Sequence, residues 1–161
     1  MKGSYILLIQ LPEEQTIQIG SLLDIYFPSG YYAYVGSAMG RLESRINRHL
    51  KQDKKLHWHI DYLLQKASIS DVIACQSRQK VECDIAQVLS RQFDSIPKFG
   101  ATDCHCRSHL FFSPNKVRLK SAIMAIIKSL AIEPRLIEKY QQTLSEVELI
   151  SWVPPANRGE K

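Results

Sequence analysis

Tyrosine, arginine and histidine side chains are concentrated in the segment YAYVGSAMGRLESRINRHL, which runs from Tyr32 to Leu50. An arginine guanidinium offers a planar, permanently charged fork that matches a phosphate group. A tyrosine whose pKa is lowered can act as a general base or as a proton relay. Tyr34 lies in a predicted strand, and Arg45 and His49 lie four residues apart on the predicted helix that follows. This combination of residue types suits cleavage of a phosphodiester bond.

Such cleavage also requires a carboxylate that holds a metal ion, because the ion stabilises charge on the phosphate. The candidate is Glu82, at the start of the predicted helix VECDIAQVLSRQF. A glutamate in the first turn of a helix is also favoured by the helix dipole alone. The residue type therefore leaves a catalytic and a purely structural interpretation open.

A second cluster of reactive residue types comprises Cys83, Cys104, His105, Cys106 and His109, with His57 and His59 upstream. The candidate zinc ligands among them are Cys83, Cys104, Cys106 and His109. Thiolates and imidazole nitrogens are the ligands that Zn²⁺ prefers. The spacing C-x-C-x-x-H is tighter than the usual C-x₂-C knuckle, and cysteines that bind nothing are often buried. A Zn²⁺ site and a packing role for these cysteines both stay open.

Three further polar residues are candidates for lining the site: His59, Asp61 and Asp103. His57 and His59 are two positions apart, so they do not share a face of a helix. His57 is expected to bond locally. Asp61 has an alternative role, which is to pair with a basic residue of the preceding helix.

Positive charge is concentrated on and after the first predicted helix. The chain carries a net charge of +5, and the window from Arg41 to Lys55 holds six basic residues against two acidic ones. A clustered basic patch attracts polyanions, nucleic acid above all, although a solvated helix face would look the same. The residues expected to contact nucleic acid, DNA or RNA, are Arg41, Arg48, Lys51, Lys54 and Lys55.

The hydrophobic pattern predicts a mixed α/β domain, with a small antiparallel sheet flanked by helices. Strands are predicted at 4–11, 17–27, 31–36, 69–77 and 108–112, with the segment at 17–27 broken by Gly20. Helices are predicted at 42–50, 57–67, 81–93, 114–130 and 134–149. The strands at 4–11, 17–27 and 31–36 are expected to form the sheet, and Ser113 is expected to cap the fourth helix. Residues 1–113 are predicted to form the domain. Residues 114–161 would be a helical extension whose last residues, VPPANRGEK, are disordered.

The apolar runs of the chain are short. No stretch of 18 apolar residues is present, and the N-terminus reaches Pro12 and two glutamates after a brief apolar run. These features predict no membrane span and no signal peptide. A cytoplasmic protein whose four cysteines stay reduced is expected.

Six motifs in order along the first 113 residues resemble the GIY-YIG nuclease superfamily, and more closely an uncharacterised branch of it. These motifs are G-x-Y, YVGSA, R-I-x-R-H-L, HWHIDYL, E-C-x-x-A and D-C-x-C-x-S-H-L-F. They lie at Gly3 to Tyr5, Tyr34 to Ala38, Arg45 to Leu50, His57 to Leu63, Glu82 to Ala86, and Asp103 to Phe112. The resemblance implies a nuclease fold with a small antiparallel sheet and a hydrolase activity that depends on Mg²⁺ or Mn²⁺.

The resemblance also implies roles for individual residues. Tyr5 and Tyr34 would be the motif tyrosines, one of which helps to deprotonate the attacking water. Arg45 would contact the phosphate, His49 would assist proton transfer or phosphate binding, and Glu82 would hold the metal ion. The segment between the two tyrosines is long for the superfamily, but an insertion in a hairpin can leave the paired strands intact.

Three functions therefore stay open at this point. The first is a metal-dependent endonuclease. The second is a domain of the same fold that binds nucleic acid without cutting it. The third is an interaction domain stabilised by zinc, which would unfold when a chelator removes the metal.

Overall fold

The computed structural model of the chain describes residues 2–77, 79–130, 133–135 and 148–149. Within these residues the chain forms nine β-strands and four α-helices. The strands are β1 (Lys2–Leu11), β2 (Gln15–Gln18), β3 (Asp24–Phe27), β4 (Gly30–Met39), β5 (Ser68–Gln76), β6 (Asp94–Ser95), β7 (Leu110–Ser113), β8 (Glu133–Arg135) and β9 (Glu148–Leu149). The helices are α1 (Leu42–Leu50), α2 (His59–Leu63), α3 (Glu82–Ser90) and α4 (Lys116–Ser129).

Seven of the strands form one sheet in the order β6-β7-β4-β1-β5-β8, with β9 also paired to β5. The pairings are antiparallel except for that between β5 and β9, which is parallel. Helices cover both faces: α1 and α2 pack with one core cluster, and α3 and α4 pack with the other. The prediction of an antiparallel α/β fold is confirmed.

Strand β1 is the centre of the sheet, because it pairs with β4 on one side and β5 on the other. Successive side chains of a strand point to opposite faces. Tyr5, Leu7 and Ile9 accordingly join the core beneath α1 and α2, while Ile6 and Leu8 join the core beneath α3 and α4. Burial on both faces explains why this strand has a nearly continuous apolar sequence.

The segment at 17–27 is interrupted at the predicted position, Gly20, but the prediction that it joins the main sheet is wrong. A short 3₁₀ turn at Gly20–Leu22 divides it, and β2 and β3 pair with each other in a separate two-stranded hairpin. The main-chain φ of Leu23 is 63°, a left-handed value that extended backbone does not have, so the strand cannot run through this point.

The hairpin leaves the main sheet intact. Strands β1 and β4 pair in unbroken register from Lys2 opposite Met39 to Leu11 opposite Gly30. This register sets Tyr5 opposite Gly36, and a Cβ atom at Gly36 would come within 2.5 Å of the Tyr5 ring. The expectation that an insertion would not disturb the pairing of the tyrosine strands is therefore confirmed, and Gly36 is the residue that makes room for Tyr5.

Helix α4 belongs to the same core as the sheet, since Leu119, Ile123 and Ile127 are buried with side chains of β1 and β4. Its N-terminal cap is Asn115, whose side chain accepts a hydrogen bond from the Arg118 N–H. The cap predicted at Ser113 is therefore wrong by two residues. Ser113 instead accepts a hydrogen bond from the Asn115 N–H.

The helix predicted at 134–149 is replaced at both ends by extended backbone, in β8 and β9. The middle of that helix and the predicted disordered end lie outside the described residues. Among the helices that the structure describes, none has the length and apolar character needed to cross a membrane.

Candidate active site

A cavity of about 350 Å³ opens at the ends of β1 and β4. Four of the five predicted catalytic residues line it: Tyr5, Tyr34, Arg45 and Glu82. The fifth, His49, lies behind Tyr5, with its Nε2 atom 2.6 Å from the Tyr5 hydroxyl. His59 and Asp103 line the cavity as well, whereas Asp61 lies beneath Trp58 and does not reach it.

Tyr5 and His49 form a buried pair. Their exposed fractions are 1% and 2%. Burial first, and the neighbouring Lys54 next, lower the pKa of His49 from 6.5 to about 3. The imidazole is therefore neutral near pH 7, and a neutral imidazole can accept a proton at one ring nitrogen. Tyr5 is the side chain placed to exchange a proton with it.

Burial raises the pKa of both motif tyrosines. The Arg45 guanidinium opposes this rise at Tyr5 and Tyr34, but burial outweighs it at each. Both phenols are thus protonated at neutral pH in the absence of a ligand. A tyrosine that acts as a base needs a lowered pKa, whereas the pKa of both tyrosines is raised. The site therefore fits a phenol that relays a proton better than a phenolate that is present before the reaction.

Arg45 is held in place by two contacts. Its Nη1 atom donates to the Ser37 carbonyl oxygen at 3.1 Å, and its guanidinium carbon lies 4.5 Å from the centre of the Trp58 ring. A guanidinium carries five N–H groups, so one hydrogen bond to the backbone leaves donors for a ligand. Because Arg45 lines the cavity, those donors are available to a phosphate there.

Glu82 is the first residue of α3, where a carboxylate is favoured by the helix dipole. Its Oε1 atom accepts a hydrogen bond from the Ser37 hydroxyl at 2.9 Å and lies 3.6 Å from the Lys80 Nζ atom. Its Oε2 atom lies 3.6 Å from His109 Nδ1. The carboxylate is thus fixed from several sides while it faces the cavity.

Two of the predicted nucleic-acid contacts are instead committed to the fold. Arg48 donates two hydrogen bonds of 2.9 Å to the Asp61 carboxylate, which is fully buried. Lys54 donates to the carbonyl oxygens of Arg48 and His49, at the end of α1. The other three predicted contacts are exposed, namely Arg41, Lys51 and Lys55.

Asp61 takes the alternative role that the sequence left open, since it pairs with a basic residue of α1. It also accepts hydrogen bonds from the N–H groups of His57 and Trp58, so it caps the N-terminus of α2. Burial alone would raise the pKa of Asp61, but the hydrogen bonds from Arg48 and from these N–H groups hold it below its usual value. The Arg48 guanidinium carbon also lies 4.4 Å from the Trp58 ring centre, so Arg45 and Arg48 both contact this ring.

The predicted zinc cluster comes together beside Glu82. Cys83 follows Glu82 in α3, and Cys104, Cys106 and His109 lie on the loop between β6 and β7. Their potential ligand atoms all lie within 4.8 Å of one another, so this group could hold a metal ion. His59 supports the same loop, because its Nδ1 atom accepts a hydrogen bond from the Gly100 N–H at 2.9 Å.

Ser37 and Lys80 were not predicted from the sequence, yet both line the cavity and contact Glu82. Their positions carried a weak signal. Ser37 follows Gly36 in the YVGSA motif, and Lys80 precedes Glu82 by two residues. Neither spacing indicates that a strand end and a helix start meet in the fold.

The buried His49 makes the stability of the protein depend on pH. The unfolded chain takes up a proton at His49 near pH 6.5, whereas the folded protein does so only near pH 3. This contribution to stability is therefore present above pH 6.5 and is lost as the pH falls toward 3. The free energy of unfolding is expected to decrease by about 1.4 kcal/mol per pH unit in this window, the value for one proton. Urea unfolding between pH 7 and pH 5 measures it.

The test variant is His49→Gln. The control is His57→Gln, which removes a histidine that is exposed rather than buried. The titratable groups around His49 include Lys54, Arg48, Arg45, Asp61, Tyr5 and Tyr34, and both variants keep them. His49→Gln is expected to lose the extra slope and His57→Gln to keep it. Equal slopes in wild type and His49→Gln would contradict the assignment of a neutral buried His49.

The comparisons with known proteins identify one family. Its model, described as "Domain of unknown function DUF123", matches residues 4–132. Neither the comparison with curated proteins nor that with solved structures gave a match. The matched range begins in β1 and ends after α4, so it includes most of β1, strands β2 to β7, all four described helices and every residue that lines the cavity. The chain belongs to the family of the domain of unknown function DUF123.

Proposed function

We propose that this protein is a metal-dependent endonuclease of the GIY-YIG type, which hydrolyses phosphodiester bonds of nucleic acid. The observation that carries the proposal is the convergence of Tyr5, Tyr34, Arg45 and Glu82 on one cavity. These residues are distant in sequence and come from β1, β4, α1 and α3. Together they supply hydroxyl groups, a phosphate-binding cation and a carboxylate, which is the set that such hydrolysis requires.

The residues of the cavity fit a hard divalent cation. Mg²⁺ is usually held by one or two carboxylates, with water and substrate phosphate oxygens completing its coordination. Glu82 provides one carboxylate, and Asp103 lines the same cavity. When bound, Mg²⁺ or Mn²⁺ would stabilise the negative charge on the phosphate. Ser37 holds the Glu82 carboxylate in position through its hydroxyl.

Arg45 binds the phosphate in this proposal. Its side chain is positioned by the Ser37 carbonyl and the Trp58 ring, so little rotamer entropy remains to be lost when a ligand binds. Trp58 also lines the cavity, where an aromatic ring can stack on a nucleotide base. The exposed Arg41, Lys51 and Lys55 extend the positive surface from the cavity along α1 and the loop that follows.

Tyr5 and His49 accept the proton of the attacking water in this proposal. The Tyr5 hydroxyl takes a proton from the attacking water as it passes its own proton to the neutral His49 imidazole, 2.6 Å away. The low pKa of His49 opposes this transfer in the protein without ligand. A phosphate bound at Arg45 brings negative charge near the imidazole, which raises its proton affinity. Proton transfer is therefore coupled to substrate binding.

A second candidate is a domain of the same fold that binds nucleic acid without cutting it. One observation favours it, because the pKa of both tyrosines is raised by burial and neither phenol is poised as a base. A third candidate, an interaction domain stabilised by zinc, is supported by the Cys/His cluster alone. The three candidates make different predictions for a single experiment.

The experiment measures cleavage of labelled single-stranded, duplex and branched DNA and RNA with Mg²⁺ or Mn²⁺. Cleavage of at least one class is expected, and it should stop when the added ion is left out. Omission is a better control than a chelator, which would also remove zinc. Folded protein that binds the panel with strong salt dependence but cuts nothing would support the binding domain. Folded protein that neither cuts nor binds would support the interaction domain.

A further inference from the structure

We propose that Cys83, Cys104, Cys106 and His109 bind one zinc ion, which fastens the loop between β6 and β7 to the first turn of α3. The site is a structural one, with four protein ligands that leave no position open for substrate. Its ligands differ from the carboxylates that would hold Mg²⁺ or Mn²⁺. Soft thiolates select zinc over these harder ions.

The spacing of the ligand atoms supports this assignment. Zinc–sulfur and zinc–nitrogen bonds of 2.0–2.3 Å in a tetrahedron imply ligand atoms roughly 3.3–3.8 Å apart. The Nε2 atom of His109 lies 3.4 Å from the Cys104 Sγ atom and 3.9 Å from the Cys83 Sγ atom. All four ligand atoms lie within 4.8 Å of one another. Shifts of about an ångström or less would therefore complete the coordination.

The orientation of His109 is a second, independent support. Its Nδ1 atom lies 3.0 Å from the Val35 carbonyl oxygen, which can only accept a hydrogen bond. Nδ1 therefore carries the proton, and the lone pair of Nε2 points toward the thiols. Metal-binding histidines usually have this arrangement, with the second nitrogen bonded to a backbone carbonyl or a carboxylate. The Val35 N–H also donates to the His109 carbonyl at 2.9 Å, so strand β4 holds His109 at two points.

The loop itself provides a third support. Residues 102–107 contain no fully buried side chain, and the two that are partly buried are Cys104 and Cys106. A segment with so few buried side chains gains little order from its own packing. Coordination by zinc supplies it, because the metal joins these two cysteines to α3 through Cys83 and to the sheet through His109. Binding would release the proton of each thiol, so the affinity for zinc should rise with pH.

The zinc site also explains how two carboxylates reach the cavity. Glu82 precedes Cys83, and Asp103 precedes Cys104. Each carboxylate is thus attached to a residue that the metal fixes. This consequence rests on the proposed function, whereas the zinc site itself does not.

The test is the metal content of the full chain, purified without added metal and measured by mass spectrometry. About one zinc per chain is expected for wild type, and the Cys104→Ala variant should lose most of it. Cys75→Ala is the matched control, since Cys75 is a buried free cysteine in β5 outside the cluster. Thermal unfolding should move to lower temperature when zinc is removed from wild type and return when it is restored. Zinc content that is the same in Cys104→Ala and wild type would overturn the proposal.

If Cys104→Ala does not fold, wild-type protein in which Co²⁺ replaces zinc provides a second test, because Co²⁺ reports its ligands through its absorption spectrum. Wild type reconstituted with Co²⁺ should show the strong visible bands of a tetrahedral site and a thiolate-to-cobalt charge-transfer band. Folded wild type that takes up neither zinc nor cobalt would refute the site. These readouts use no nucleic acid, so zinc binding without cleavage would refute the nuclease proposal alone, and cleavage without zinc would refute the zinc proposal alone.

Discussion

Replacing Glu82 by glutamine is expected to abolish cleavage while binding of nucleic acid persists. Glutamine has nearly the same shape, and its carbonyl oxygen can keep the hydrogen bond from the Ser37 hydroxyl. It lacks the negative charge that a divalent cation requires. The cleavage rate should fall by at least about 10²–10³-fold, the scale for losing one electrostatic group at a reacting centre. Single-turnover cleavage gives the rate, and fluorescence anisotropy of a labelled oligonucleotide gives the affinity.

The matched control is Asp84→Asn, which makes the same chemical change in the same first turn of α3. Asp84 is exposed and does not line the cavity, so its variant should cleave like wild type. The zinc content of Glu82→Gln should also stay unchanged, which shows that the neighbouring Cys83 is undisturbed. A Glu82→Gln protein that cuts at the wild-type rate would exclude this carboxylate as a metal ligand.

The elements that carry the site were predictable because each has a strong local pattern. Strand β1 is a continuous apolar run, and Leu42 and Ile46 mark the buried face of α1. The break at Gly20 was predictable from the glycine, but the separation of the β2–β3 hairpin from the main sheet was not, because it also depends on the left-handed φ of Leu23. Leucine rarely adopts that conformation, so its residue type did not indicate the turn at this point.

The roles of the basic residues show a second limit of local patterns. Arg45 and Arg48 are both arginines on the same short helix, yet one lines the cavity and the other is bonded to a buried carboxylate. Asp61 lies 13 residues beyond Arg48, and only the fold of the chain brings the two side chains together. The pKa directions of Tyr5 and His49 have the same origin, because burial in the fold causes them. Charge counted along the sequence therefore overstates the positive charge that stays exposed on the surface.

Replacing Asp61 by alanine is expected to cause a large loss of stability. The fully buried carboxylate accepts hydrogen bonds from Arg48 and from two N–H groups at the start of α2. Its removal leaves those donors without their acceptor and the guanidinium without its counter-charge. Breaking a buried pair in this way typically costs about 3–5 kcal/mol. Because the Arg48 side chain is 27% exposed, the lower end is expected, and urea unfolding at pH 7 measures it.

Asp53→Ala is the control, since Asp53 is an exposed acid in the same basic segment and its loss should change stability by no more than about 0.5 kcal/mol. A double-mutant cycle with Arg48→Met separates the ion pair from the hydrogen bonds to the backbone. If the ion pair accounts for most of the lost stability, Asp61→Ala should lower the free energy of unfolding much less in the Arg48→Met background than in wild type. An Asp61→Ala variant as stable as Asp53→Ala would contradict the structural role of Asp61.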